Sequence, residues 1–229
     1  MSAPTVVGGT IAAHVEQLAR ALRGPARSRA SMLRETREGL EDAAAAHREG
    51  GLAPAEAEAL AVRQFGSVRQ IAPLYQAELT VRQSRRTALL LAVLMPALTH
   101  GWDMLWTIGI SWEMAGPPPQ IVLTLADAQD KISNVATVVA VALLLMTFLR
   151  RTPSRFTGRA VAATAVVTAL VTTAVCLGMQ LGNSRGTDAM LAATPLAAVA
   201  FVVSSIALAV MIFSGLRTLY VTRGERPRR

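Results

Sequence analysis

Four long apolar runs, Thr87–Ile110, Ile132–Leu149, Ala160–Gly182 and Met190–Phe213, dominate this chain from Thr87 onward. Each is long enough to cross a hydrocarbon core of about 30 Å at about 1.5 Å rise per helical residue. A backbone in lipid must satisfy its own hydrogen bonds, so runs of this kind fold as helices. The 52% apolar content, with only 4% aromatic residues, predicts a helical membrane protein whose lipid-facing surface is built from Ala, Val and Leu.

The charges fix an expected orientation. Of the 23 basic residues, 12 precede the first run, four lie in Arg150–Arg159 and five follow the fourth, leaving Lys131 and Arg185 on the other side. Basic loops are retained on the cytoplasmic side, so four spans with both termini inside are expected. Residues 1–30 show no charged start, apolar core and cleavage site in sequence, so the first span serves as an uncleaved insertion signal. The net charge of +8 does not point to nucleic acid, because the first 86 residues carry 12 Arg against nine acids. The excess lies beside the membrane, in Arg82, Arg85, Arg86, the 150–159 loop and the Arg217–Arg229 tail, where anionic lipid attracts it. Membrane lipid is therefore an expected partner, and direct nucleic-acid binding is not expected.

The segment before the first span reads as a compact helical module. Thr10 can cap a helix whose apolar positions are Ile11, Val15, Leu18 and Leu22, ended by Gly24-Pro25. A second helix places Leu33, Thr36, Leu40, Ala44 and His47 on one side and ends at Gly50-Gly51. Pro54 opens a third, with Ala57, Leu60 and Ala61 inward, closed by Phe65-Gly66 with a left-handed cap. Ser67 and Gln70 have the spacing of a capping box, from which a fourth helix with Ile71, Leu74, Tyr75 and Leu79 inward continues without a break into the first span. The expected core is Leu18, Leu22, Leu33, Leu40, Leu60, Phe65, Ile71 and Leu74. Arg20, Arg23, Arg27, Arg29, Arg34 and Arg37 read as a solvated face balanced by Glu16, Glu35 and Glu38. His14 and His47 read as surface or boundary histidines.

The expected architecture is all-α, a small cytoplasmic four-helix module joined to a four-helix transmembrane bundle. Residues 1–9 form a disordered start, 10–80 the module, 81–216 the membrane domain and 217–229 a basic cytoplasmic tail. In the third span Gly178 and Gly182 form a GxxxG pair with Ala174 one turn earlier, a face suited to close helix packing and to a homo-oligomer. Thr164, Thr168 and Thr172 repeat at four-residue spacing, for hydrogen bonds to their own backbone or to a neighbouring helix. The lone Cys176 lies within a span, which excludes an intrachain disulfide and a cysteine metal cluster. At the outer end His100, Trp102, Asp103, Trp106, Trp112 and Glu113 cluster after the first span, before Pro117-Pro118-Pro119. Asp127, Asp130 and Lys131 precede the second. Tryptophans belong at membrane interfaces, yet His100, Trp102, Asp103, Trp106, Asp127 and Asp130 can also converge on an outer sensing pocket for a ligand or cation. No phosphate-binding Gly loop, His-Glu zinc helix or nucleophile elbow is present, so neither an enzyme nor a resident cofactor or metal is expected.

The strings Gly51-Leu52-Ala53-Pro54-Ala55-Glu56-Ala57, Ala61-Val62-Arg63-Gln64-Phe65-Gly66-Ser67 and Ile71-Ala72 resemble the bacterial module called permease prefix domain 1, related to the HAAS helical signalling domains. The motif positions are Gly51, Leu52, Pro54, Glu56, Ala57, Phe65, Gly66, Ser67 and Ile71. Ala53 stands where that module more usually has a Ser, Thr or Asp cap. The resemblance covers about the first 80 residues. It implies a membrane signalling co-regulator whose cytoplasmic module binds a PadR-like transcription regulator in response to an envelope or ligand signal. The alternative it carries is an accessory or reduced subunit of a membrane permease or ABC-type transporter, since related prefixes precede FtsX-like permease domains.

Overall fold

A computed structural model describes residues 10–108, 117–149 and 155–223. Among them the chain forms eight helices and no strand: α1 (Ile11–Ala21), α2 (Ala26–Glu49), α3 (Pro54–Phe65), α4 (Val68–Ile108), α5 (Gln120–Leu149), α6 (Arg155–Gly182), α7 (Ser184–Ala193) and α8 (Pro195–Arg223). Four of these, α4, α5, α6 and α8, are long and apolar enough to cross a membrane, as in a multi-pass membrane protein. The chain divides into two compact units. One holds residues up to Gln83 together with Tyr220–Arg229, and the other spans Ser84–Leu219.

In the first unit, Thr10 caps α1 by accepting from the Ala13 amide at 3.3 Å, and Glu58 of α3 accepts from the Ile11 amide at 3.4 Å. These bonds satisfy donors that the first turn of a helix leaves open. Ile11 and Val15 then pack on Leu40 and Ala44 of α2 and Ala61 of α3. A second cluster joins Leu18, Leu22 and Met32 to Leu79 of α4 and Val221 of α8. Thr36 Oγ1 donates to the Met32 carbonyl at 2.8 Å and lies 3.0 Å from the Tyr75 hydroxyl, whose O–H it can accept, so a buried hydroxyl is satisfied both as donor and as acceptor. The expected core is redistributed. Leu18, Leu22 and Leu40 are buried, whereas Leu33, Leu60, Phe65 and Ile71 are half-buried and Leu74 is 66% exposed. Met32 and the small Ala57, Ala59 and Ala61 take the interior instead, because α3 approaches closely enough for methyl groups to fill the space.

Two further details depart from the sequence reading. Gln70 Oε1 accepts from the Ser67 amide at 3.0 Å and from the Ser67 hydroxyl at 2.9 Å, so one arm of the capping box forms and the hydroxyl turns back to the same oxygen. The stretch read as a basic tail is helical as far as Arg223, with Thr218, Val221 and Thr222 buried.

α4 is one helix of 41 residues, contributing Val68–Gln83 to the first unit and Ser84–Ile108 to the second. Gln76, Leu79, Thr80, Gln83, Ser84, Thr87 and Ala88 are its buried positions around that boundary. In the second unit α5 begins at Gln120, well before the apolar run at Ile132, so Asp127, Asp130 and Lys131 lie inside a helix. The run read as one span from Met190 is divided, with α7 ending at Ala193 and α8 starting at Pro195, whose ring suits a first helical turn. Leu91 and Met95 of α4, Ala136 and Ala140 of α5, Ala169 of α6 and Met211 of α8 form the core of this unit.

Close approach of α8 to α6 depends on Gly215. A Cβ there would lie 2.7 Å from Val166 Cγ2 and 3.2 Å from the Ala162 carbonyl oxygen. Gly178 and Gly182 give α6 the same access to α5, with prospective Cβ atoms 3.3 Å from Leu125 Cδ1 and Val122 Cγ2. The GxxxG pair is thus spent inside the bundle, and Ala174, expected on the same face, is exposed.

Candidate functional site

The polar end of the second unit is built where α4 and α5 run past each other. One turn beyond Met95, Thr99 Oγ1 donates to Ser133 Oγ at 2.7 Å, satisfying two hydroxyls next to the apolar core. The next turn carries Asp103 on α4, and the preceding turn carries Asp130 on α5. Asp130 lies within electrostatic reach of Asp103, Asp127 and His100, so carboxylates of both helices share one region. His100 Nδ1 lies 3.6 Å from Asp103 Oδ2, and Lys131 Nζ lies 2.6 Å from Asp127 Oδ2. Asp130 forms no ion pair among the described residues.

Trp102 does a different job. Its Nε1 donates to Ser204 Oγ at 3.1 Å and its ring meets Phe201 edge-on at 5.0 Å, which ties α4 to α8. Trp106 is half-buried, and Trp112 and Glu113 lie outside the described residues. The structure therefore gathers His100, Asp103, Asp127 and Asp130 and assigns Trp102 to packing. Deeper in the unit Gln129 Nε2 donates to Thr172 Oγ1 at 3.3 Å, while the buried Gln129 Oε1 has no partner. Thr164 bonds its own backbone at Ala160, so the threonine row divides between neighbour and self. Among the described residues, no three His, Cys, Asp or Glu side chains assemble as a metal-binding group. What the carboxylate region offers is negative charge beside one imidazole and one ammonium, suited to a cationic group or a proton.

The motif of the first unit forms two turns and one helix start. Gly51 has φ +92° and Gly66 φ +107°, conformations that L side chains avoid, and these residues bracket α3. Pro54 occupies the first position of α3 with Glu56 in its first turn, where a carboxylate favours the helix dipole. Ala57 is buried, Leu52 is exposed, and Ile71 packs against the Leu18 cluster. Ser67 donates its amide and its hydroxyl to the Gln70 side-chain oxygen.

Two buried polar groups of this unit escaped the sequence reading. His14, expected at a boundary, is only 7% exposed; its ring meets Phe65 edge-on at 5.8 Å and its Nε2 has no partner. Burial lowers its pKa below the ordinary 6.5. Gln76 accepts from the Arg23 amide at 2.8 Å, donates to the Arg23 carbonyl at 2.8 Å and donates to the Val221 carbonyl at 3.1 Å. A polar residue at the helical spacing of Leu79 and Gln83 was the available signal, but its backbone partners are remote in sequence. Comparisons with protein-family models, with curated proteins and with solved structures yield no match.

Proposed function

We propose that this chain is a membrane signalling co-regulator whose first unit binds a PadR-like transcription regulator under the control of its membrane-spanning half. On this reading both termini are cytoplasmic in a bacterial inner membrane, and the carboxylate region of α4 and α5 faces outward as the sensing end. One observation carries it: α4 is continuous from Val68, in the fold that bears the prefix-like motif, to Ile108, five residues past Asp103. A continuous helix can convey a displacement of one end to the other, which a flexible linker would damp. A stimulus then acts by its differential affinity for two positions of that helix, typically worth about 1–3 kcal/mol.

The test uses the full chain co-expressed with PadR-like regulators from its own genome, measuring co-purification and expression of the regulator's target. Retention of a regulator is expected, and retention of none would sink the proposal. Coupling is tested with Glu78→Gly combined with Arg82→Gly, an exposed pair on α4 whose replacement leaves the buried Gln76, Leu79, Thr80 and Gln83 in place. Two glycines weaken the helix by about 1 kcal/mol each. The doubly substituted protein should still bind the regulator but lose its response to envelope stress. Asp103→Asn and Asp130→Asn should alter that response while leaving binding intact.

A further inference from the structure

One end of the second unit carries arginine and no acid among the described residues. Arg85 and Arg86 begin the α4 part of this unit, Arg159 lies in the second turn of α6, and Arg217 stands near the end of α8. Contacts within the unit bring these ends together. Arg85 Nη2 donates to the Thr147 carbonyl at the end of α5, Thr87 shares hydroxyl hydrogen bonds of 2.7 and 2.9 Å with Ser214 and Thr218 of α8, and Gly215 of α8 meets Ala162 of α6. The carboxylates Asp103, Asp127, Asp130 and Asp188 lie toward the other end of their helices or on α7.

The arginines differ in what they are free to do. The Arg85 guanidinium is held by Thr147 and lies 4.2 Å from the Phe148 ring centroid, and that of Arg217 lies 5.9 Å from the Phe213 ring centroid. Arg86 and Arg159 are exposed and make no hydrogen bond or ion pair among the described residues. Phe148, Phe156 and Phe213 are exposed at the same end, directly beside the arginines in the sequence or in space. An apolar aromatic ring of this kind cannot face water economically, and a guanidinium cannot face hydrocarbon. The two together fit the boundary between acyl chains and headgroups.

From this we infer that the arginine-bearing end of the second unit is an anionic-phospholipid surface, on which Arg86 and Arg159 take the headgroup phosphates while the exposed phenylalanines lie among the acyl chains. A guanidinium presents a planar fork to phosphate oxygens, and binds them in two-point fashion where an ammonium acts as a point charge. Nucleic acid offers the same phosphates but has no hydrocarbon to cover Phe148, Phe156 and Phe213. Lipid satisfies both halves of the surface. Arg82 and Arg85, close by in the sequence, are less available, since Arg82 pairs with Glu78 at 2.5 Å and Arg85 is occupied within the bundle.

The experiment is native mass spectrometry of the full chain in detergent, titrated with phosphatidylglycerol, phosphatidylcholine or inorganic phosphate. Wild type should bind phosphatidylglycerol in preference to phosphatidylcholine. Arg86→Gln combined with Arg159→Gln should reduce that preference roughly thirty-fold, the product of two headgroup contacts at a membrane surface. Arg86→Lys with Arg159→Lys should restore part of it, which keeps the comparison valid if the neutral variant folds poorly. Arg185→Gln, on α7, should leave it unchanged. The inference is overturned if the neutral variant keeps the wild-type preference, if Arg185→Gln loses as much, or if inorganic phosphate competes phosphatidylglycerol away at equal concentration.

Discussion

The side-chain amide of Gln76 pairs with both backbone groups of Arg23, accepting its N–H and donating to its C=O, each at 2.8 Å. Only one orientation of the amide satisfies both bonds, and its second N–H reaches the Val221 carbonyl at 3.1 Å. One buried side chain thereby closes backbone groups from the α1–α2 connection and from the end of α8, where neither helix can satisfy them.

Gln76→Leu should therefore destabilise the first unit by about 2–4 kcal/mol, because it strands backbone groups rather than merely deleting a contact. Gln76→Glu keeps the acceptor but sets a buried carboxylate against the two carbonyl oxygens of Arg23 and Val221, so at neutral pH it should be no more stable than Gln76→Leu. Hydrogen exchange at the Arg23 amide gives the sharper reading. Unchanged protection there in Gln76→Leu would show that the pairing contributes nothing.

His14 makes the stability of the first unit depend on pH with a definite sign. Its folded pKa is lowered by burial, so just below pH 6.5 the unfolded chain binds more protons than the folded one. Stability from this group is complete above the unfolded value and falls as pH drops through about 6.5. It levels off below the folded value, where both states are protonated. Glu58 on α3 and His47 on α2 are ionisable groups on the elements packed with α1, and each is bonded elsewhere, to the Ile11 amide and to Gln64. Chemical denaturation between pH 5 and 8 should show the slope in wild type and lose that component in His14→Leu. Equal slopes in both proteins would remove His14 from the account.

Two glycines should respond to alanine in opposite directions. Gly39 sits in the middle of α2 with nothing within 4 Å of a prospective Cβ, so Gly39→Ala should stabilise by roughly 0.5–1 kcal/mol through backbone entropy. Gly215→Ala should destabilise by about 1–3 kcal/mol, since Val166 is β-branched and the Ala162 carbonyl belongs to a helix backbone. Thermal unfolding in one detergent decides both. A stabilising Gly215→Ala would mean that α6 and α8 can part without loss.

Arg85 caps the carboxyl end of α5 with a two-point contact to Thr147, at 2.7 Å to the carbonyl and 3.3 Å to the hydroxyl, while lying on Phe148. Arg85→Ala should cost on the order of 1–3 kcal/mol, combining a charge-assisted hydrogen bond with a cation–π contact. Arg85→Lys should recover less than half, because an ammonium cannot bond and stack at once. Full recovery in Arg85→Lys would show that only the charge near the helix terminus matters.

The helices themselves were legible in the sequence. Thr10, Pro54 and Gly66 mark their ends through local capping and backbone geometry, and the apolar runs mark the spans through hydropathy, both properties of residues near one another in the chain. The start of α5 was not legible from hydropathy, since Asp127, Asp130 and Lys131 depress it. Helical hydrogen bonding is indifferent to that drop, and the Lys131–Asp127 pair at four-residue spacing supports the helix through it.

What only the tertiary structure decided is which of several helical faces turns inward. Leu74 and Met32 are both apolar at plausible helical positions, yet Leu74 is exposed and Met32 buried, because burial depends on where α1 and the end of α8 come to lie. The same holds for the cluster near the end of α4: sequence placed His100, Trp102 and Asp103 within four residues, but Ser204 and Phe201 draw Trp102 toward α8 while Asp103 lies within electrostatic reach of Asp130 on α5. His14 and Gln76 followed no local rule at all, their burial and partners being set by residues such as Phe65 and Val221 that are distant in the chain. Local sequence thus determined element type and membrane-crossing length through short-range hydrogen bonding and hydropathy, whereas long-range packing alone decided which polar groups were buried, paired or left bare.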